Sequence, residues 1–130
     1  MNNFFLNAHS GLRYVILIAG LLTVFYAAYG TVTRRAYDPK MRVLASIFAG
    51  TLHLQILLGL AVLLSGRFQP ALIGHMFMML FAAAAAQVPV SVMRRRIDEE
   101  KSYAPHGVGA LVALALIVGG VMAIGRPIVG

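Results

Sequence analysis

Residues 43–64 read VLASIFAGTLHLQILLGLAVLL, twenty-two positions without an acid, a lysine or an arginine. A bilayer core about 30 Å thick is crossed by ~20 apolar residues rising 1.5 Å each. The stretch, flanked by Arg42, therefore predicts a transmembrane helix over Arg42 to Leu64. Working outward, three more runs meet the same requirement. One precedes it at Leu12 to Thr33, opening LRYVILIAGLLTVFYAAYG (12–30), and two follow, at Pro70 to Met93 and Gly107 to Gly125. Turn and charge signals separate them: TRRAYDPKMR (33–42), SGRFQP (65–70) and MRRRIDEEKSYAPHG (93–107). These breaks are short, so consecutive helices pack as antiparallel neighbours. The expected fold is an all-α, up-down four-helix transmembrane bundle forming one domain over 1–130.

Composition says the same. Of 130 residues 60% are hydrophobic and 12% charged, against about 25% charged in soluble domains. A chain this apolar has too few polar groups to cover a water-exposed surface, which excludes a soluble globular enzyme and a disordered chain. The absence of cysteine excludes disulfides, thiolate metal sites and covalently attached haem.

The formal charge of +7 carries topology. Arg34, Arg35, Lys40 and Arg42 flank the first connection, and Arg94, Arg95, Arg96 and Lys101 the third; Arg13, Arg67 and Arg126 occupy the opposite side. Eight of eleven cations thus mark one side. The positive-inside rule places it in the cytoplasm and both termini on the outer, periplasmic side of a bacterial inner membrane. Nucleic acid is not needed to explain the charge. MNNFF (1–5) has no basic start, so the first span is expected to remain uncleaved.

Lipid supplies no hydrophobic drive for helices to associate, so small residues mark expected contacts. Ser46 and Gly50 stand four apart, as do Ala82 and Ala86. The trio Ala115, Gly119 and Ala123 is the expected close-packing stripe of the fourth span. Pro89 removes a helical hydrogen bond to Ala85.

Polar groups within spans are expensive and therefore informative. All four acids (Asp38, Asp98, Glu99 and Glu100) lie in connections, which argues against a carboxylate proton relay or cation pump. Histidine remains. His53 sits near the midplane, His75 five residues past Pro70, His9 at the outer end of the first span with Arg13 one turn on, and His106 at the start of the fourth. His9 and His106 are expected to be solvated at the interfaces, while Met76, Met78 and Met79 are expected as packing filler. Neutral imidazole is the commonest protein metal ligand, and two imidazoles on facing helices can hold a b-type haem without covalent attachment. Small residues near them (Gly50, Ala82) and outer cations (Arg13, Arg67) fit such a site. Helical rise separates His53 and His75 by about 9 Å in depth, and His9 and His75 by a similar amount. Spacing alone leaves the choice among His53, His75 and His9 as ligands open. A structural histidine, sharing hydrogen bonds with Thr51 and Gln55, is the competing reading of His53.

Three stretches, HSGLRYVIL (9–17), HLQILLGLAVLL (53–64) and GHMFMMLFA (74–82), resemble small four-helix bacterial membrane proteins described as cytochrome-b-like. The resemblance implies a histidine-ligated haem b and an electron-transfer or quinone-linked role, with His9, Arg13, His53 and His75 at the cofactor. The chain departs from that pattern at Gly74, where the family tends to place an acid before the histidine.

Functionally, the sequence points to a membrane subunit of a respiratory or photosynthetic electron-transfer complex, a carrier of electrons rather than an enzyme on its own. The alternative is a cofactor-free accessory subunit stabilising larger membrane partners. A chlorin pigment held through histidine is a third reading. Four spans without internal symmetry or charge leave no substrate path for a transporter.

Overall fold

In the computed structural model, which describes residues 4–64 and 72–123, every long element is a helix. Helix α1 spans Phe4–Val32, α2 Pro39–Val62, α3 Leu72–Arg95 and α4 Ala104–Ala123, with a 3₁₀ turn at Asp98–Glu100. All four are long and apolar enough to cross a membrane. Each packs against the next, and α4 returns against α1, so the bundle closes as a square; α1 with α2 and α3 with α4 pack most extensively. Only 28–39% of the most apolar window of each helix is buried inside the protein. The rest presents large apolar side chains outward, among them Leu22, Phe25, Leu57, Phe81 and Leu111. Water would not tolerate such a contiguous apolar exterior, and lipid does.

Three helices start earlier than expected, α4 at Ala104 rather than Gly107 among them. Helix α1 begins at Phe4, eight residues before Leu12, so His9 lies inside it rather than at or just beyond its outer end. Helix α2 begins at Pro39, because Asp38 caps it: the Asp38 carboxylate accepts from the Met41 amide at 3.3 Å, and proline occupies the first turn, where its missing N–H costs nothing. Helix α1 ends in a Schellman arrangement. The Arg35 amide donates to the Gly30 carbonyl at 3.0 Å and the Arg34 amide to that of Thr31 at 3.3 Å, with Arg34 at φ 56° in the left-handed region usually taken by glycine.

The connection between α1 and α2 and the one between α3 and α4 meet at one end. There the Tyr103 hydroxyl donates to the Ala36 carbonyl at 2.8 Å, and Tyr37 shares a 2.8 Å hydrogen bond with Nε2 of His106 while lying against its ring. His106, expected to be solvated, is 2% exposed. Tyr103 also covers Gly30, where a Cβ would come within 2.6 Å of its ring. The eight basic residues expected at one end do share this end.

Ala82 and Ala86 are buried as expected. The stripe Ala115, Gly119 and Ala123 is not the packed face of α4. Ala115 is exposed and Gly119 half-buried, while the side chain of Ala123 lies outside the described ones. The buried face runs through Gly109, Ala110, Ala113, Ile117, Gly120 and Val121. A Cβ on Gly109 would meet the Ala85 carbonyl at 2.5 Å and the Pro89 ring at 2.6 Å. The carbonyl that Pro89 deprives of its helical donor is thus covered by close approach of the α4 backbone. Gly50 likewise faces outward, with nothing within 4 Å of the position its Cβ would occupy.

Candidate functional site

At the end holding the start of α1, opposite the α1–α2 and α3–α4 connections, a crevice with about 10 Å³ of enclosed space opens between helices. His9 of α1, Gln55 and Gly59 of α2, and His75, Met76 and Met79 of α3 line it, with Leu52 and Ile56 completing its apolar wall. The structure therefore brings His9 and His75 together. The expected 9 Å depth mismatch between them rested on a first span starting at Leu12. From the observed helix starts, His9 is five residues into α1 and His75 three into α3, about 7.5 and 4.5 Å at helical rise.

Local chemistry fixes each imidazole. Nδ1 of His75 is 3.1 Å from the Gly120 carbonyl. A carbonyl only accepts, so Nδ1 is the donor, and in the neutral ring the lone pair is on Nε2. Metal-ligating histidines are held in this way, the second nitrogen donating to a backbone carbonyl. His9 is positioned through its backbone: Nε2 of Gln55 donates to the His9 carbonyl at 2.7 Å, tying α1 to α2. Two glycines make room for the rings. A Cβ on Gly59 would lie 3.4 Å from Nε2 of His9, and one on Gly120 would lie 3.5 Å from Nδ1 of His75 and 2.8 Å from the Met79 methyl.

Gln55 is 7% exposed, and its Oε1 has no partner although its amide nitrogen does. That leaves one buried acceptor at a crevice already lined by two imidazoles. Gln55 was legible only as a hydrogen-bonding neighbour for histidine. The signal that it belongs with a site is its spacing: Gln55 and Gly59 stand one turn apart and so share a face, two residues off the face of His53.

The other proposed ligands lie elsewhere. His53 is exposed on α2, where its Nε2 is 3.1 Å from Oε1 of Gln87. The Arg13 guanidinium lies over the Tyr14 ring, 4.9 Å from its centroid, and donates to the Tyr14 hydroxyl at 3.1 Å. Arg67 and Arg126 fall outside the described residues. Among the described residues no group of three or more His, Asp or Glu side chains could hold a metal ion.

For a haem, the lining offers two imidazole rings from different helices, one of them oriented by a hydrogen bond, among apolar walls. The volume is tight. Its enclosed space of about 10 Å³ is room for roughly one water molecule, so a macrocycle would enter only if the helices part and Met76 and Met79 swing aside. Both are unbranched chains with three rotatable bonds, the side chains best able to do so.

Comparison of the chain with family models, with curated proteins and with solved structures finds no match.

Proposed function

We propose that this chain is a membrane subunit of an electron-transfer complex, holding a b-type haem between His9 and His75 in the outer half of the bundle. The convergence of those two imidazoles on one crevice carries the reading. The cation asymmetry supports an orientation with that crevice on the outer side and both connections of the basic end in the cytoplasm. A bound haem would supply one-electron chemistry. The chain's own residues would hold it: His75, aimed by the Gly120 carbonyl; His9, anchored through Gln55; and Leu52 and Ile56, which exclude water. Larger complex subunits, and a quinone as electron donor or acceptor, are the partners this role implies.

The test is a visible spectrum, oxidised and reduced, of the detergent-purified protein expressed with ample haem. A Soret band and a reducible α-band are expected, lost in His75→Ala and kept in His53→Ala. A colourless wild-type protein sinks the haem reading. The tight packing of Met76 and Met79 favours one second reading, a cofactor-free accessory subunit. On that reading, His9→Ala/His75→Ala leaves co-purification with larger subunits unchanged.

A further inference from the structure

Near the middle of the spanning helices, the described outer surface is built of bulky apolar side chains, interrupted on the α2–α3 face by a polar group. His53, Gln87 and Ser91 form a chain across the α2–α3 face: His53 to Gln87 at 3.1 Å, then Nε2 of Gln87 to Oγ of Ser91 at 2.9 Å. His53 is exposed, and Gln87 and Ser91 are half-buried. Helix α2 runs from Pro39 to Val62, so His53 lies 2.5 residues, about 4 Å, from its middle. Among the described residues, no other histidine, acid, lysine or arginine is exposed so near the middle of a spanning helix. Lipid tails offer this group nothing, and an imidazole facing them is costly.

The unused hydrogen-bonding capacity of the chain is specific. Gln87 donates to Ser91 through its amide nitrogen, so Oε1 faces His53 and can only accept; Nε2 of His53 is therefore the donor. Nδ1 of His53 is left as an acceptor, and the second N–H of Gln87 and the Ser91 hydroxyl are left as donors. The face thus carries an acceptor and donors, and is complementary to itself. Gly50, one turn from His53, is open and would let a second backbone approach closely, and Ser46 continues that small edge one turn further.

We propose that the face carrying Ser46, Gly50, His53, Gln87 and Ser91 binds a second copy of this chain, giving a two-fold homodimer within the bilayer. A two-fold axis along the membrane normal sets every residue opposite its own depth. A second copy in the same orientation therefore meets the polar chain with the same polar chain. The acceptor of each copy takes a donor from the other, twice by symmetry, and Gly50 sits at the closest approach. This proposal does not depend on a cofactor at the crevice.

The chain has no cysteine, so single-cysteine variants crosslink without background. In membranes treated with a mild oxidant, Gly50→Cys is expected to give a disulfide-linked species of twice the monomer mass. Leu22→Cys, on the outward face of α1, is expected to stay monomeric. Equal crosslinking by both, a monomeric Gly50→Cys, or capture of a heavier foreign protein at Gly50→Cys would each overturn the proposal. Dimer affinity is then read by energy transfer between labelled copies in lipid vesicles. His53→Leu is expected to raise the dissociation constant about tenfold, ~1.4 kcal/mol for two symmetry-related hydrogen bonds. Gly50→Leu is the folding control, because its side chain enters open space within the monomer. It is expected to keep full helicity by circular dichroism while the dimer is lost; an intact dimer in Gly50→Leu contradicts the interface.

Discussion

Asp38 shows how much one carboxylate can organise. It caps α2 through the Met41 amide, accepts from the Tyr26 hydroxyl, and pairs with Arg35 at 3.3 Å. The Tyr26 hydrogen bond, first among these, holds its pKa below the ordinary 3.8. A carboxylate depressed in the folded state contributes stability in full above its unfolded pKa, and the contribution is lost as pH falls through the folded value. Detergent-solubilised protein is therefore expected to lose melting temperature on acidification below about pH 4. Tyr26→Phe should shrink that loss and Asp38→Asn remove this part of it; an unchanged acid profile in Asp38→Asn would refute the assignment. In the sequence, Asp38 reads only as an acid of the first connection, with the second span starting at Arg42; Tyr26 is twelve residues away and its role was not legible. His106 is the sharper case. Its burial depends on Tyr37, sixty-nine positions distant, and no local pattern encodes that contact.

At the scale of the helix, length and apolarity are written plainly, and all four spans could be read from them. Which face of each helix turns inward could not. In water the packed face is the apolar one; here the outward face is apolar too, with Leu111 and Val112 of α4 exposed. Small residues occur all round α4, so the four-residue spacing of Ala115 and Gly119 looked no different from that of Gly109 and Ala113. The two stripes make opposite predictions. Gly109→Ala places a methyl against the Ala85 carbonyl and Pro89, neither of which is a flexible chain end, and is expected to destabilise the protein by about 1–3 kcal/mol. Ala115→Leu extends into lipid and is expected to change stability by less than ~0.5 kcal/mol. Unfolding in mixed detergent micelles checks both, and equal sensitivity would mean that the packed face has been misplaced.

As a whole, the bundle joins two antiparallel pairs, α1 with α2 and α3 with α4, clasped at the basic end by Tyr37, Tyr103 and His106. The eight-to-three division of cations predicts which end faces the cytoplasm. With Asn7→Cys, a membrane-impermeant maleimide is expected to label intact spheroplasts, whereas Glu99→Cys, exposed at the other end, should react only after lysis. The reverse pattern would invert the topology and the side on which the crevice opens. The crevice itself was half legible. Its two imidazoles were among the candidates, yet their partnership was obscured because the first helix starts at Phe4, and the glycines that admit them carry no chemical mark of their own.

The carbonyl that aims His75 belongs to Gly120, forty-five residues further along the chain. Chains are made from the N-terminus at about 5–20 residues per second. His9 and Gln55 can therefore meet as soon as α2 has entered the bilayer, while His75 waits several seconds more for the last helix to be translated. A nascent chain halted after α3 has both imidazoles but only one of them held. If the proposed haem requires both rings held, its loading is deferred until translation of the final helix is complete.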